Sequence, residues 1–308
     1  MTVLARAFAP AHVTGVFRPS ATGPDPRGAG SIGAGLVFDV GATATVRFTR
    51  GARHLTEVRG PSGEALPITE DAVRRVRKGV GGRVTVEVEW GLPVGQGFGM
   101  SAAGTLAASL ATAKVLGEPV SLAVEAAHLA ELSGRGGLGG VAAILGGGVE
   151  LRRVAGIPPL GRVRHLRWDG PAVLLVGTGP PIPSPSILGS AQWIRRIEIA
   201  SRGLDDLLAH PTPEGFLRLS ERFTDRMGLG AVGVHRLIRE LRALGAHAAQ
   251  AMFGNAIFVV PPTRAIRAAV IARLVAGGRP AVEVRVGRRG ARTLPEGAAA
   301  SRRPPQRL

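Results

Sequence analysis

The order of elements legible in this sequence predicts a mixed α+β protein built as two lobes. Three observations carry that expectation. The 308 residues exceed one ordinary domain, at about 100–200 residues each. The first half reads as strands with a few helices, and the second opens with helices and closes in a strand–turn–strand–helix–strand module. A composition 45% hydrophobic and 20% charged supports a sizeable core. The expected lobes are residues 1–160 and 161–294, with the break near Pro158 to Trp168; residues 295–308 read as a disordered basic tail.

Val3 to Ala9 alternates enough for a strand, and Arg18 to Gly35, dense in Gly, Pro, Ser and Asp, reads as a loop. Leu36–Val40 and Ala42–Thr49 read as short strands around Gly41. In Val84–Trp90, Val84, Val86, Val88 and Trp90 share one face against Thr85, Glu87 and Glu89. The Arg74-Arg75-Arg77-Lys78 cluster reads as a solvated helix end. An alanine-rich helix spans Ser101 to Leu116, stopped by Gly117 and Pro119. Ser121 is the expected N-cap of a second helix through Ser133. Gly134 to Gly140 is a second glycine loop, followed by a helical turn at Val141–Leu145 and a strand at Val149–Val154. Strands at Val163–Trp168 and Ala172–Val176 precede helices at Ile187–Leu208, Pro213–Met227 and Val232–Leu244. Gly254-Asn255, between apolar runs, is a hairpin signal; a helix near Thr263–Ala276 and a strand at Ala281–Val286 follow.

The formal net charge of +17 suggests a polyanion partner, but 37 of the 39 basic residues are arginine, a skew typical of genomic base bias. Tyrosine is absent, aromatic content is 4%, and no base-reading motif occurs, so nucleic acid is disfavoured as the main partner. Small anionic substrates suit the same charge. The absence of cysteine excludes disulfides, thiolate metal sites and a cysteine nucleophile. The seven histidines include no pair at zinc-ligand spacing. No apolar run approaches the ~18 residues of a membrane span, and the N-terminus lacks a signal-peptide pattern, so a soluble cytoplasmic protein is expected.

The segment most specific for chemistry runs from Pro93 to Gly104, a strand feeding a glycine loop that opens a helix. Glycines admit positive φ and close ligand approach, and a helix start exposes free N–H groups and the positive end of the dipole. Together these make a phosphate cradle from Pro93, Gly95, Gly97, Phe98, Gly99, Met100, Ser101, Ala102 and Ala103. Ser101 either caps the helix or contacts a phosphate or its Mg²⁺. The Gly-Lys-Ser/Thr ending of a P-loop is absent, and no acidic ribose partner supports a Rossmann reading. The plain alternative is a glycine-rich turn before a packing helix.

Pro-x-Gly-x-Gly-Phe-Gly-x-Ser-Ala-Ala resembles the ATP-binding motif of the GHMP kinases. Further segments, in order, narrow the resemblance to the archaeal pantoate kinase family. They are Ala7–Phe17 with Asp25-Pro26 and Ala29–Gly35, Ala127–Glu131 with Gly137–Val141 and Gly146–Gly148, and Ala251–Phe258. The resemblance implies a two-lobe GHMP kinase fold, with a ribosomal S5 domain 2-like N-terminal lobe, an α/β C-terminal lobe and ATP between them. It implies transfer of the γ-phosphoryl of ATP to the primary hydroxyl of pantoate, giving 4-phosphopantoate for coenzyme A synthesis. Ser101 and Glu131 would then serve ATP–Mg²⁺, and His12, Ser31, Arg152, Gly254 and Asn255 would face pantoate, with Arg152 also in the catalytic set. A homodimer is compatible with the same resemblance.

Arginine suits a carboxylate because its fork donates two parallel hydrogen bonds. Arg152 and Arg153 are adjacent on a strand, so only one faces the cleft, and the motif favours Arg152. Against these roles stand plainer ones: a solvated Glu131, turn residues at Ser31 and Gly254-Asn255, and packing for His128. The chain also departs from the family pattern. Gly140 stands where the family usually carries aspartate, Ala11 where glycine is usual, and Ile32 where arginine is frequent. Positioning and charge stabilisation supply most of the acceleration in phosphoryl transfer, so the missing carboxylate does not exclude an enzyme. The alternatives are another GHMP small-molecule kinase, of homoserine or mevalonate type, and a nucleotide-binding paralogue without turnover.

Overall fold

Two long antiparallel strands, β1 (Thr2–Ala21) and β2 (Ala29–Thr49), open the chain in a computed structural model that describes residues 2–180, 182, 184–295 and 306–307. The loop expected at Arg18 to Gly35 shrinks to residues 22–28, and β2 runs unbroken through Gly41. The glycines that suggest a loop serve close packing instead: a Cβ at Gly33 would meet the Arg152 guanidinium and the Val16 carbonyl at 2.5 Å. Register shifts at Pro10/His12 and Thr14/Val16 accommodate the irregular stretch.

The first sheet is completed by β3 (His54–Arg59), β4 (Gly82–Trp90), β5 (Gly148–Val154), β6 (Arg162–Leu166) and, from far along the chain, Arg292–Leu294. Helices α1 (Pro67–Arg77), α2 (Met100–Leu116) and α3 (Val120–Ser133) pack together against it, with the short α4 (Gly140–Ala143) leading into β5. Alanine dominates α2 because that helix is buried on nearly every side, where small side chains allow close contact. Pro119, with extended backbone, ends the preceding turn, so Ser121 lies inside α3 and makes no cap. Arg77 is buried rather than solvated: its guanidinium donates to the carbonyls of Leu55, Val80 and Gly82 and to Thr56. Arg74 and Arg75 do face solvent, paired with Glu70 and Asp71.

The second sheet takes β7 (Val173–Gly177), β8 (His247–Ala251), β9 (Ala256–Val260) and β10 (Ala281–Val284), ordered β10-β7-β9-β8. Between β7 and β8 lie α5 (Ser184–Leu188), α6 (Ala191–Ala200), α7 (Leu204–Ala209), α8 (Pro213–Met227) and α9 (Val232–Ala243). The single helix expected from Ile187 to Leu208 is divided because Ser190 caps α6 and Gly203, at φ +95°, restarts the chain into α7. Side-chain alternation along β7 explains its burial on both faces. Val173 and Leu175 join the main core, and Leu174 and Val176 join a second cluster with Val234 and Leu241 of α9 and Leu274 of α10 (Arg264–Ala276).

The chain changes sheets between Leu166 and Val173, past the expected boundary at 160, because β6 pairs with β5. It then returns to the first sheet through β11 (Arg292–Leu294). Of the expected disordered tail, residues 296–305 and 308 lie outside the described residues. Gln306–Arg307, as β12, pair with Val282 and Glu283, so that part carries strand pairing. Among the described residues no helix is long and apolar enough to cross a membrane.

Candidate active site

A cavity of about 350 Å³ opens where the two sheets meet. β1 and β2 contribute His12, Thr14, Phe17 and Ser31, and Ile182, Met252 and Phe253 close it from the other lobe. The lobes are tied there: the Met252 amide donates to the Thr14 carbonyl at 3.3 Å, and Phe17 meets Phe253 edge-on with ring centroids 5.1 Å apart.

One wall is the glycine loop and the start of α2. Gly95, Gly97 and Gly99 have φ of +80°, +84° and +67°, conformations that bring the backbone to the cavity without side-chain cover. A Cβ at Gly99 would lie 3.0 Å from the His12 carbonyl. No side chain caps α2, and its hydrogen-bond ladder begins with Ala103 donating to Gly99 at 3.0 Å. The amides of Met100, Ser101 and Ala102, residues that all line the cavity, therefore have no helical acceptor. The positive end of the dipole of a 17-residue helix adds to them.

Ser101 Oγ donates to Glu131 Oε1 at 2.7 Å, and Thr105 Oγ1 reaches the same oxygen at 3.3 Å. Glu131 is buried, against the solvated alternative. Burial pushes its carboxyl up to about 7, although both hydroxyls favour the charged form. Among the described residues no group of three or more His, Cys, Asp or Glu side chains could hold a metal ion. Two oxygen donors, Ser101 and Glu131, beside helix-start amides that suit phosphate oxygens fit Mg²⁺, which retains waters and phosphate oxygens instead of filling a protein cage.

The opposite wall holds a buried chain of charge. His12 Nε2 lies 2.9 Å from Glu150 Oε1, and Arg152 Nη1 hydrogen-bonds to that same oxygen. Desolvation lowers the His12 pKa, outweighing the Glu150 hydrogen bond. Burial pushes Glu150 up, but the Arg152 charge and the His12 hydrogen bond prevail and hold it below its ordinary value. Ser31 is in the cavity wall, with Arg152 directly behind: a Cβ at Gly139 would meet both Ser31 Oγ and Arg152 Nε. Arg152 is thus beneath the surface instead of lining it, and Arg153 is exposed, as strand alternation requires.

The structure brings together His12, Ser31, Gly95, Gly97, Phe98, Gly99, Met100, Ser101, Ala102 and Glu131. It does not bring Pro93, Ala103, Gly254 or Asn255 to the cavity. Gly254 and Asn255 dock the β8–β9 turn: a Cβ at Gly254 would collide with the Gln96 carbonyl, and Asn255 Nδ2 donates to the Pro180 carbonyl at 2.9 Å. The side chains that reach the cavity from that turn are its neighbours, Met252 and Phe253. His128 is buried against the turn of Pro26–Gly28, consistent with packing. Glu150 and Arg135 escape the sequence reading. Glu150 has a legible signal, being two residues before Arg152 and so on the same face of β5. Arg135, at φ +55°, lines the cavity through a backbone bend that no local pattern announces.

Comparisons with known proteins follow the same outline. Residues 67–148 match the family model of the GHMP kinases N terminal domain. The chain is 32% identical over 268 residues to the pantoate kinase of Thermococcus kodakarensis, covering 84% of this chain and 88% of that protein. It is 28% identical over 258 residues to the pantoate kinase of Methanocaldococcus jannaschii, covering 82% and 91%. A solved structure described as a phosphotransferase related to the CoA biosynthesis pathway matches with a TM-score of 0.85 at 28% identity, over 96% of this chain and 100% of that one. A homoserine kinase from Cytophaga hutchinsonii matches with a TM-score of 0.67 at 16% identity, over 94% and 97%, a likeness of fold alone.

Proposed function

The chain belongs to the pantoate kinase family of the GHMP kinases, and on that premise we propose that it transfers the γ-phosphoryl group of ATP to the primary hydroxyl of pantoate. The observation that carries this reading is one cavity with two chemically distinct walls: uncapped amides and the Ser101–Glu131 pair on one, Ser31 and His12 backed by Arg152 on the other. The first suits a polyphosphate and its cation, the second a small anionic hydroxy acid.

The amides of Met100, Ser101 and Ala102 hold phosphate oxygens, and the bare glycine backbone lets them approach. Ser101 and Glu131 are the residues that would hold Mg²⁺, which when bound supplies positive charge to the transferring phosphoryl oxygens. Ser31 donates a hydrogen bond to the acceptor, and the Arg152 charge beneath it favours a carboxylate at that wall. Ile182, Met252 and Phe253 exclude water from the reacting groups.

The test is a coupled ADP-release assay with ATP, Mg²⁺ and pantoate, beside homoserine and mevalonate. Turnover on pantoate with phosphopantoate as product is the expected result. Phosphorylation of homoserine or mevalonate without pantoate would reject the acceptor assignment. Nucleotide binding with no turnover on any acceptor would reject catalysis.

A further inference from the structure

Phosphorylating an alcohol requires its proton to leave, and the groups lining the cavity limit where it can go. Among the described residues, its titratable side chains are His12, Glu131 and Arg135. Arginine stays protonated. Glu131 is engaged by Ser101 and Thr105 on the wall assigned to the cation. Gly140 supplies no carboxylate, and a Cβ there would lie 2.8 Å from Ala102 Cβ. His12 is left.

Its surroundings are those of a held base. With Nε2–H donating to Glu150 Oε1 at 2.9 Å, the imidazole is fixed in the tautomer that leaves a lone pair on Nδ1. Nδ1 makes no hydrogen bond within the described residues. Glu150 is itself held by Arg152, and a Cβ at Gly35 would lie 2.5 Å from His12 Nε2, so the Nε2 edge of the ring is tightly packed. The charged or titratable groups that act on His12 are Glu150 and Arg152 of β5 and His165 of β6; the loop before α2 meets its backbone, the His12 amide donating to the Phe98 carbonyl at 3.0 Å. Burial keeps the ring neutral near pH 7, the form that accepts a proton.

We infer that His12, oriented by Glu150, is the catalytic base that takes the proton of the acceptor hydroxyl. This rests on the kinase reading above but not on the identity of the acceptor. The acceptor oxygen bonds to the γ-phosphorus as the bond from that phosphorus to the β–γ bridging oxygen breaks. ADP carries away the bridging oxygen, and the hydroxyl proton passes to His12 Nδ1 and then to solvent. Glu150 keeps the Nε2 proton throughout and is a positioning residue.

Chemical rescue tests this. The His12→Ala variant should lose about 10²–10⁴-fold in kcat with nucleotide affinity unchanged, and added imidazole should restore part of it saturably. His12→Gln places an amide N–H at the Nε2 position toward Glu150 and has comparable volume but no basic nitrogen; its kcat should fall by a similar factor, which also covers misfolding of the alanine variant. A kcat within threefold of wild type for the glutamine variant, or a loss in the alanine variant that imidazole leaves unchanged, overturns the inference. If wild type phosphorylates a different hydroxy acid, the pantoate assignment fails and rescue measured on that acid decides His12 separately. Wild type inactive on every acceptor overturns both.

Discussion

The hydroxyl of Ser101 and the carboxylate of Glu131 meet at 2.7 Å, joining the first turn of α2 to the far end of α3. Thirty residues separate them in sequence. The contact places a buried carboxyl beside three amides that have no helical acceptor, at the positive end of the α2 dipole. An anion and a cation bound together satisfy both halves of it, which neither half does alone.

Glu131 therefore costs stability in the empty protein. Its folded pKa of about 7 lies above the ordinary 4.5, so the folded state binds its proton more tightly than the unfolded chain. Stability on this account falls as pH rises from about 4.5 to about 7 and stays lower above, by roughly 3 kcal/mol. Nucleotide-free Glu131→Gln should be the more stable protein at pH 8, with the gap closing by pH 4.5, as urea unfolding measures. Its kcat should fall at least 10²-fold.

Ser101→Ala removes a hydrogen bond to the charged form of Glu131 and one oxygen donor. The carboxyl pKa should rise further, and the Mg²⁺ concentration for half-maximal rate should increase with a kcat loss of about 10²-fold. Titrating Mg²⁺ at fixed ATP reads both; an unchanged Mg²⁺ requirement would remove Ser101 from the cation site.

Restoring a carboxylate at Gly140 should fail alone. The added Cβ at 2.8 Å from Ala102 overpacks the start of α2, a change that costs about 1–3 kcal/mol. Gly140→Asp should lower Tm, and Gly140→Asp with Ala102→Gly should recover most of the loss. Thermal unfolding of the three proteins checks it.

Arg152→Ala strands Glu150, fully buried, without its compensating cation, and should destabilise by about 3–5 kcal/mol. Removing both charges in Arg152→Met with Glu150→Leu should be milder than the single change. Both variants should raise the KM for pantoate; an unchanged KM would show that the charge behind Ser31 is not felt at the acceptor.

Arg77→Ala should cost about 2 kcal/mol or more, because three carbonyls lose a charged donor, while kcat at a permissive temperature stays at the wild-type value. Parallel unfolding and rate measurements separate the two effects.

Patterns confined to a few neighbouring residues were legible without coordinates. The Val84–Trp90 alternation, the alanine helix closed by Gly117, the Pro213–Met227 helix and the glycine loop before Ser101 all follow from local periodicity and backbone chemistry. Misreadings arose where a residue serves a distant partner. Glycines of β2 suggested a loop because their purpose is to admit Arg152 and the Val16 carbonyl, and Arg77 suggested a solvated end because its acceptors lie on β3 and in the α1–β4 turn. Gly254 and Asn255 carry a motif yet hold a turn in place, leaving Met252 and Phe253 to reach the cavity.

The sequence by itself determined the α+β class and the helix start that follows a glycine loop, and its resemblance to the family singled out Ser101 and Glu131, which meet beside that start. Only the tertiary structure decided that Arg152 lies under the wall, that a Cβ at Gly140 would crowd Ala102, and that Glu150 grips His12 from 138 residues away. Local conformation is set by neighbours along the chain, whereas burial, proton affinity and the meeting of side chains are set by whichever elements the packing brings within a few ångströms.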